Sequence, residues 1–259
     1  MSIDELKLKI KMDFKVVHLL IAINVFMFIL TSITNILFSE FPSFTLIIFG
    51  AEFLPDIASG QLWRLIMSSF LHANLIHIAI NMWALWNIGG IVERFYGGKK
   101  TFSIYIFTAI SASILSVLAA VFFYVLQGDP KAGFSVSVGA SGAVFGFVGL
   151  IIGDKFRQST YSVSISEYVN YNQLLVFVGY NVLIGLGFNL LGTGSSINNW
   201  AHIGGLLGGM LLGVLLEPIN SYNNSKFKHY LQNILFWLCI IATVASFVAQ
   251  LIYISLIFY

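Results

Sequence analysis

Seven apolar runs of membrane-crossing length divide this sequence and leave little room for any other fold. They lie near 16–33, 71–92, 101–126, 138–153, 171–190, 200–217 and 231–258. An α-helix needs about 17–25 apolar residues to cross a ~30 Å hydrocarbon core. Only 9% of the 259 residues are charged and 58% are hydrophobic, whereas soluble domains carry about 25% charged residues. The reading is an all-α polytopic membrane protein. The first run follows a lysine-rich stretch, is long and lacks a small-residue cleavage signature, so it is expected to be a retained anchor rather than a signal peptide.

Orientation follows from the basic residues, which collect on the cytoplasmic side. With a cytoplasmic N-terminus, seven crossings put Lys7, Lys9, Lys11, Lys15, Arg94, Lys99, Lys100, Lys155, Arg157, Lys226 and Lys228 inside, and only Arg64 and Lys131 outside. The C-terminus is then extracellular. The net charge of +2 reads as a topology signal, with no basic groove of the kind nucleic acid needs. The single cysteine, Cys239, excludes disulfides within the chain and thiolate metal sites.

Polar side chains at membrane depth are costly and mark function. His72, His77 and Asn81 fall in the second run, Ser141 in the fourth and His202 in the sixth. The second, fourth and sixth runs all cross from outside to inside, so these five residues share the outer half of the bilayer. The fourth run, closed by Asp154, is about 24 Å long at ~1.5 Å per residue, and Ser141 lies roughly 10 Å beneath the outer hydrocarbon boundary. The sixth run is similarly short. Short spans leave space above them for water, the setting in which buried polar groups are tolerated. Gly142, Gly146, Gly149 and Gly153 recur at helical spacing in the fourth run, as do Gly205, Gly209 and Gly213 in the sixth. Such rows let helix backbones approach closely in lipid, which would bring Ser141 beside His202.

Taken singly, each residue has a plainer reading: a serine among glycines bonds its own backbone, and the tryptophans are interfacial or fill the bundle. One serine, two histidines and an asparagine at one depth point instead to acyl transfer. A neutral histidine is the usual base for a serine nucleophile. No carboxylate is near, since Asp154 and Glu217 lie at the other ends of their spans, more than ~20 Å away by helix rise. The expectation is a Ser141–His202 dyad with the ring of Phe145 against the imidazole. His77, Asn81 and the backbone N–H of Ser141 are the expected oxyanion donors. The sequence lacks the H-E-x-x-H of a metalloprotease and a membrane aspartate pair. It also lacks the G-x-S-x-G elbow of soluble hydrolases, because position 143 is alanine. No metal or cofactor is expected. Transport, the other use of polar residues at depth, fits poorly with spans that do not form two matching halves.

These motifs together resemble the rhomboid family of intramembrane serine proteases. GASG at 139–142 is similar to the family's nucleophile motif, AHIGGLLGG at 201–209 to its sixth-span histidine motif, and HANLIHIAIN at 72–81 to its second-span motif. The resemblance implies Ser141 as nucleophile, His202 as base, and His77 and Asn81 in oxyanion roles. LWR at 62–64 resembles the family's Trp-Arg element and GGIVER at 89–94 the end of the second span, which assigns structural parts to Trp63, Arg64, Glu93 and Arg94, beside Gly205 and Gly209. Where the family often has tyrosine, this chain has Phe145, and either ring can stack on a histidine.

The resemblance covers about 60–220 and implies a bacterial-type, six-helix bundle with one extra C-terminal transmembrane helix. The expected division is a cytoplasmic segment 1–15, a catalytic core 16–217, and a linker with the seventh helix over 218–259. Span 171–190 becomes the lateral gate and 185–199 its cap. The implied partners are other membrane proteins, usually single-span, cut near their outer edge, and the competing reading is a silent membrane chaperone of the same clients. Loop 34–61, with Phe38, Phe41, Phe44 and Phe49, is expected to rest in the outer interface, and the polar run 154–170 to be a solvated cytoplasmic loop.

Overall fold

The computed structural model describes residues 15–38, 42–157, 198–219 and 226–258, with residues 165, 168–170, 172–176, 178–180 and 183 between them. The main helices are α1 (Lys15–Phe38), α2 (Leu75–Tyr96), α3 (Gly98–Leu126), α4 (Ser141–Phe156), α5 (Asn199–Leu215) and α6 (Lys226–Phe258). Among the described residues, α1, α2, α3 and α6 are long and apolar enough to cross a membrane. Most of the expected span 171–190 and cap 185–199 lies outside the described residues.

Helix α1 contains neither Gly nor Pro, and its buried polar side chains Asn24 and Thr31 donate within the protein. Asn24 Nδ2 donates to Leu20 O at 2.8 Å, and Thr31 Oγ1 to Met27 O at 2.9 Å; such back-bonding lets polar side chains sit in an apolar helix. Between α1 and α2 the chain makes short helices and the strand β1 (Glu52–Phe53), which pairs antiparallel with β2 (Val136–Ser137), with Glu52 opposite Ser137.

The centre of the molecule is the seam between α4 and α5. These helices run parallel, and a Cβ built on Gly205 would lie 1.9 Å from Gly142 O, one on Gly209 1.9 Å from Gly146 O, and one on Gly213 2.3 Å from Leu150 O. From the other side, a Cβ on Gly149 would lie 2.0 Å from Leu206 O and one on Gly153 2.2 Å from Met210 O. Backbone touches backbone along the whole contact, the packing that small residues permit in lipid. The helices have 16 and 17 residues, about 24–26 Å, and neither fills a ~30 Å core.

Three expectations shift. The fourth run becomes a helix only at Ser141, because the chain leaves the strand at Val136–Ser137 through Gly139, whose φ of +129° is not helical. Asp154 is buried within α4 rather than opening a solvated loop: Tyr96 OH donates to it at 2.9 Å and Arg157 pairs with it at 2.7 Å. Phe38 and Phe44 are exposed, but Phe49 is packed into the core; Phe41 lies outside the described residues.

Candidate active site

Ser141 is the first residue of α4, and the chain reaches it through β2 and a turn at Gly139. Gly139 has φ +129°, and a Cβ there would meet His77 Nε2 at 2.7 Å. Glycine is therefore required both for backbone conformation and for proximity. The Gly139 N–H donates to Ser68 O at 2.9 Å, which fixes the turn. As an N-terminal helical residue, Ser141 has a backbone N–H with no intrahelical acceptor.

His202 is the fourth residue of α5, a helix capped by Asn198, whose side chain accepts from Ala201 N. Its Nε2 lies 2.9 Å from Ser141 Oγ. Phe145, one turn below Ser141, lies flat against the imidazole, with ring centroids 4.2 Å apart and planes at 6°. His202 is buried, and its Nδ1 has no protein hydrogen-bond partner among the described residues.

Helix α2 brings two more of the expected residues to the same place. Asn74 caps it by accepting from His77 N at 2.9 Å. The His77 ring stands beside Gly139, across that residue from Ser141, and meets His72 edge-on at 5.1 Å. Asn81 is buried, and its Nδ2 donates to His77 O at 2.9 Å, a bond that uses one of its two amide hydrogens.

The other expected motif residues lie away from this pair. Arg64 is fully buried; it donates to Ile47 O at 2.6 Å and Ala51 O at 3.1 Å, pairs with Asp56 at 2.6 Å, and packs between the rings of Trp63 and Tyr253. It ties the α1–α2 connection together. Glu93 accepts from Val16 N and Val17 N, each at 2.9 Å, so its carboxylate caps the start of α1, where a helix favours negative charge. Arg94 follows it in the last turn of α2, and Gly205 and Gly209 belong to the seam.

The sequence profile of the Rhomboid domain matches residues 59–219, well over half of the chain. The chain belongs to the rhomboid family. It is a mostly helical, multi-pass membrane protein, and this rhomboid is 35% identical over 202 residues to Rhomboid protease GluP of Bacillus subtilis (strain 168), a match covering 77% of this chain and 34% of that protein. It is 32% identical over 214 residues to RHOMBOID-like protein 4 of Arabidopsis thaliana (78% and 49%) and 31% identical over 210 residues to Rhomboid-like protease 1 of Toxoplasma gondii (78% and 64%). The rhomboid thus spans from a third to just under two thirds of the length of these curated relatives.

Two residues of the site region were not singled out from sequence. Gly139 could have been found as the glycine a sharp turn needs just before a helix. Asn198 could have been found as an N-cap residue ahead of an apolar run.

Proposed function

We propose that this rhomboid is an intramembrane serine endopeptidase in which Ser141 and His202 form a catalytic dyad. The observation that carries this reading is the 2.9 Å approach of His202 Nε2 to Ser141 Oγ beneath the ring of Phe145. Ser141 Oγ attacks the scissile carbonyl while His202 Nε2 takes its proton, and the proton then passes to the departing amine as the tetrahedral intermediate collapses to an acyl-enzyme. Water, deprotonated by the same nitrogen, releases the acyl group. The oxyanion is met by the His77 ring, the remaining Asn81 amide hydrogen and the Ser141 N–H, donors that act most strongly where water is excluded.

The substrate is a transmembrane segment of another membrane protein. A helical peptide bond has its carbonyl already hydrogen-bonded, so the segment unwinds before attack, and poor helix formers near the bond favour cleavage. The same reading includes the six-plus-one arrangement, a core over 16–217 followed by a linker and seventh span, and a cytoplasmic N-terminus with the dyad facing outward. The parallel course of α4 and α5 agrees with it, since both carry their reactive residue at the same end.

Purified protein mixed with a fluorogenic single-span substrate tests the reading. Wild type cleaves it, and a serine-directed phosphonylating probe labels wild type but not Ser141→Ala. Asn81→Ala and His77→Ala retain measurable cleavage at about 10²–10³-fold lower rate, the usual effect of losing one oxyanion donor. Substrate binding without turnover, or labelling that persists in Ser141→Ala, would replace the protease with a client-binding chaperone.

A further inference from the structure

A polar chain, buried at Glu52 and Ser116 and half-buried at Asn198 and Ser137, links the two reacting residues by a route that passes through neither side chain. Asn198 Nδ2 donates to Ser137 Oγ at 3.0 Å and to Ser116 Oγ at 2.5 Å, and Ser116 Oγ in turn donates to a carboxylate oxygen of Glu52. Asn198 stands four residues before His202 and Ser137 four before Ser141. Glu52 is buried on β1, directly opposite Ser137 in the two-stranded pairing. Ser113 stands one turn before Ser116 on α3 and is buried like it. Ser113 Oγ lies 3.4 Å from Ser68 Oγ, and Ser68 is the residue whose carbonyl holds the Gly139 turn.

The donor arithmetic makes Glu52 the end point of this chain. Asn198 uses both amide hydrogens on Ser137 and Ser116, and its carbonyl oxygen accepts from Ala201 N at 3.1 Å. Ser116 has one hydrogen. Because its oxygen receives the Asn198 amide, that hydrogen points to Glu52. Without the acceptor, the buried Ser116 hydroxyl must either turn onto a carbonyl of its own helix or draw the Asn198 amide over, which gives up the helix cap. A carboxyl oxygen accepts the Ser116 hydroxyl, which no apolar residue could do.

We propose that Glu52 is a positioning residue for the reaction: its carboxyl sets the spacing between the segment leading into Ser141 and the N-terminus of the helix that carries His202. The proposal rests on reading Ser141 and His202 as the reacting pair. Glu52 lies outside the motifs that suggested them, and its hydrogen bond goes to Ser116 rather than to either of the pair. Burial pushes the Glu52 carboxyl up to about 7, and the Ser116 and Ser113 hydroxyls draw it back down, consistent with an acid held in place by its neighbours rather than by water.

The test uses the full chain in detergent, with hydrogen–deuterium exchange over 136–141 and 198–204 and the rate of Ser141 phosphonylation as separate readouts. In Glu52→Leu, exchange rises in both segments together, while phosphonylation and kcat fall on the order of 10²-fold, the usual effect of a ~1 Å misplacement, with KM unchanged. Glu52→Gln keeps an acceptor for Ser116 and stays within a few-fold of wild type in every readout. Asn198→Ser keeps the helix cap but removes the bridging amide; it loosens 136–141 and slows the reaction even if Glu52→Leu proves too unstable to purify. Unchanged exchange in both segments of Glu52→Leu, or a Glu52→Gln variant as impaired as Glu52→Leu, overturns the proposal. Exchange reads the coupling without any turnover, so a wild type that the probe fails to label would count against the dyad and leave the Glu52 result standing.

Discussion

The α4–α5 seam and the face of α6 are both helix contacts in one bundle, yet they are built in opposite ways. In the seam, carbonyl oxygens of one helix lie where the other would carry a Cβ, at 1.9–2.3 Å from the built positions. Against α6 the contacts are side-chain ends: Gln250 Nε2 on Phe49 O at 2.9 Å, Tyr253 on Trp63 at 5.7 Å between rings, and Phe247 on Phe70 at 5.6 Å. A ring or an amide can shift when its neighbour changes. A backbone carbonyl is held by its own helix and cannot. The first contact therefore fixes distance, and the second supplies adhesion.

The largest effect should come from chemistry carried at the top of the seam. Ser141→Ala and His202→Ala are each expected to abolish cleavage as completely as the double variant does, because the two act as one unit, with thermal midpoints close to wild type. Full activity in His202→Ala would break the link between seam and function. Next, Gly205→Val drives a branched side chain onto Gly142 O. Overpacking typically costs about 1–3 kcal/mol, more where nothing can yield, so thermal melts should show at least the upper end of that range and cleavage should fall with stability. On the other contact, Gln250→Ala leaves the Phe49 carbonyl without its donor. Loss of one buried partner costs about 1–3 kcal/mol, and activity is expected to stay within a few-fold. If Gly205→Val proved milder than Gln250→Ala, the contrast between the two contacts would be wrong.

A further test is a pH dependence. The Glu52 carboxyl is raised from 4.5 to about 7 by burial, so the folded state retains a proton that the unfolded chain gives up. Stability relative to Glu52→Gln should therefore decline as pH rises from 4.5 to about 7 and level off above. Melting the two proteins side by side over that interval measures it, and parallel curves would mean that the carboxyl is not buried as described.

How much of this was legible in the sequence depended on whether a pattern or a tertiary contact decided the residue. The glycine rows of α4 and α5 follow helical spacing, and spacing alone states which face must come close. His202, Ser141 and Asn81 stood out because polar groups are rare in apolar runs. Asp154 looked like the end of a span because a carboxylate ordinarily meets water, but Tyr96 and Arg157 cover it from distant parts of the chain. Glu52 carried no local signal. Its hydroxyl partner is on α3, its strand partner on β2, and the cap of α5 joins them through Ser116; only the fold brings the three together.

The Phe145–His202 stack has a consequence for motion. A base anchored through one nitrogen by a carboxylate is pinned at an edge and must strain that bond to turn. An imidazole lying on a parallel ring at 4.2 Å is restrained against tilting, while among the described residues no protein hydrogen bond holds its Nδ1. In the proposed reaction, a small shift of the imidazole along that ring face would let Nε2 serve Ser141, the departing amine and the incoming water in turn, and the surface that guides it carries no charge for salt to screen.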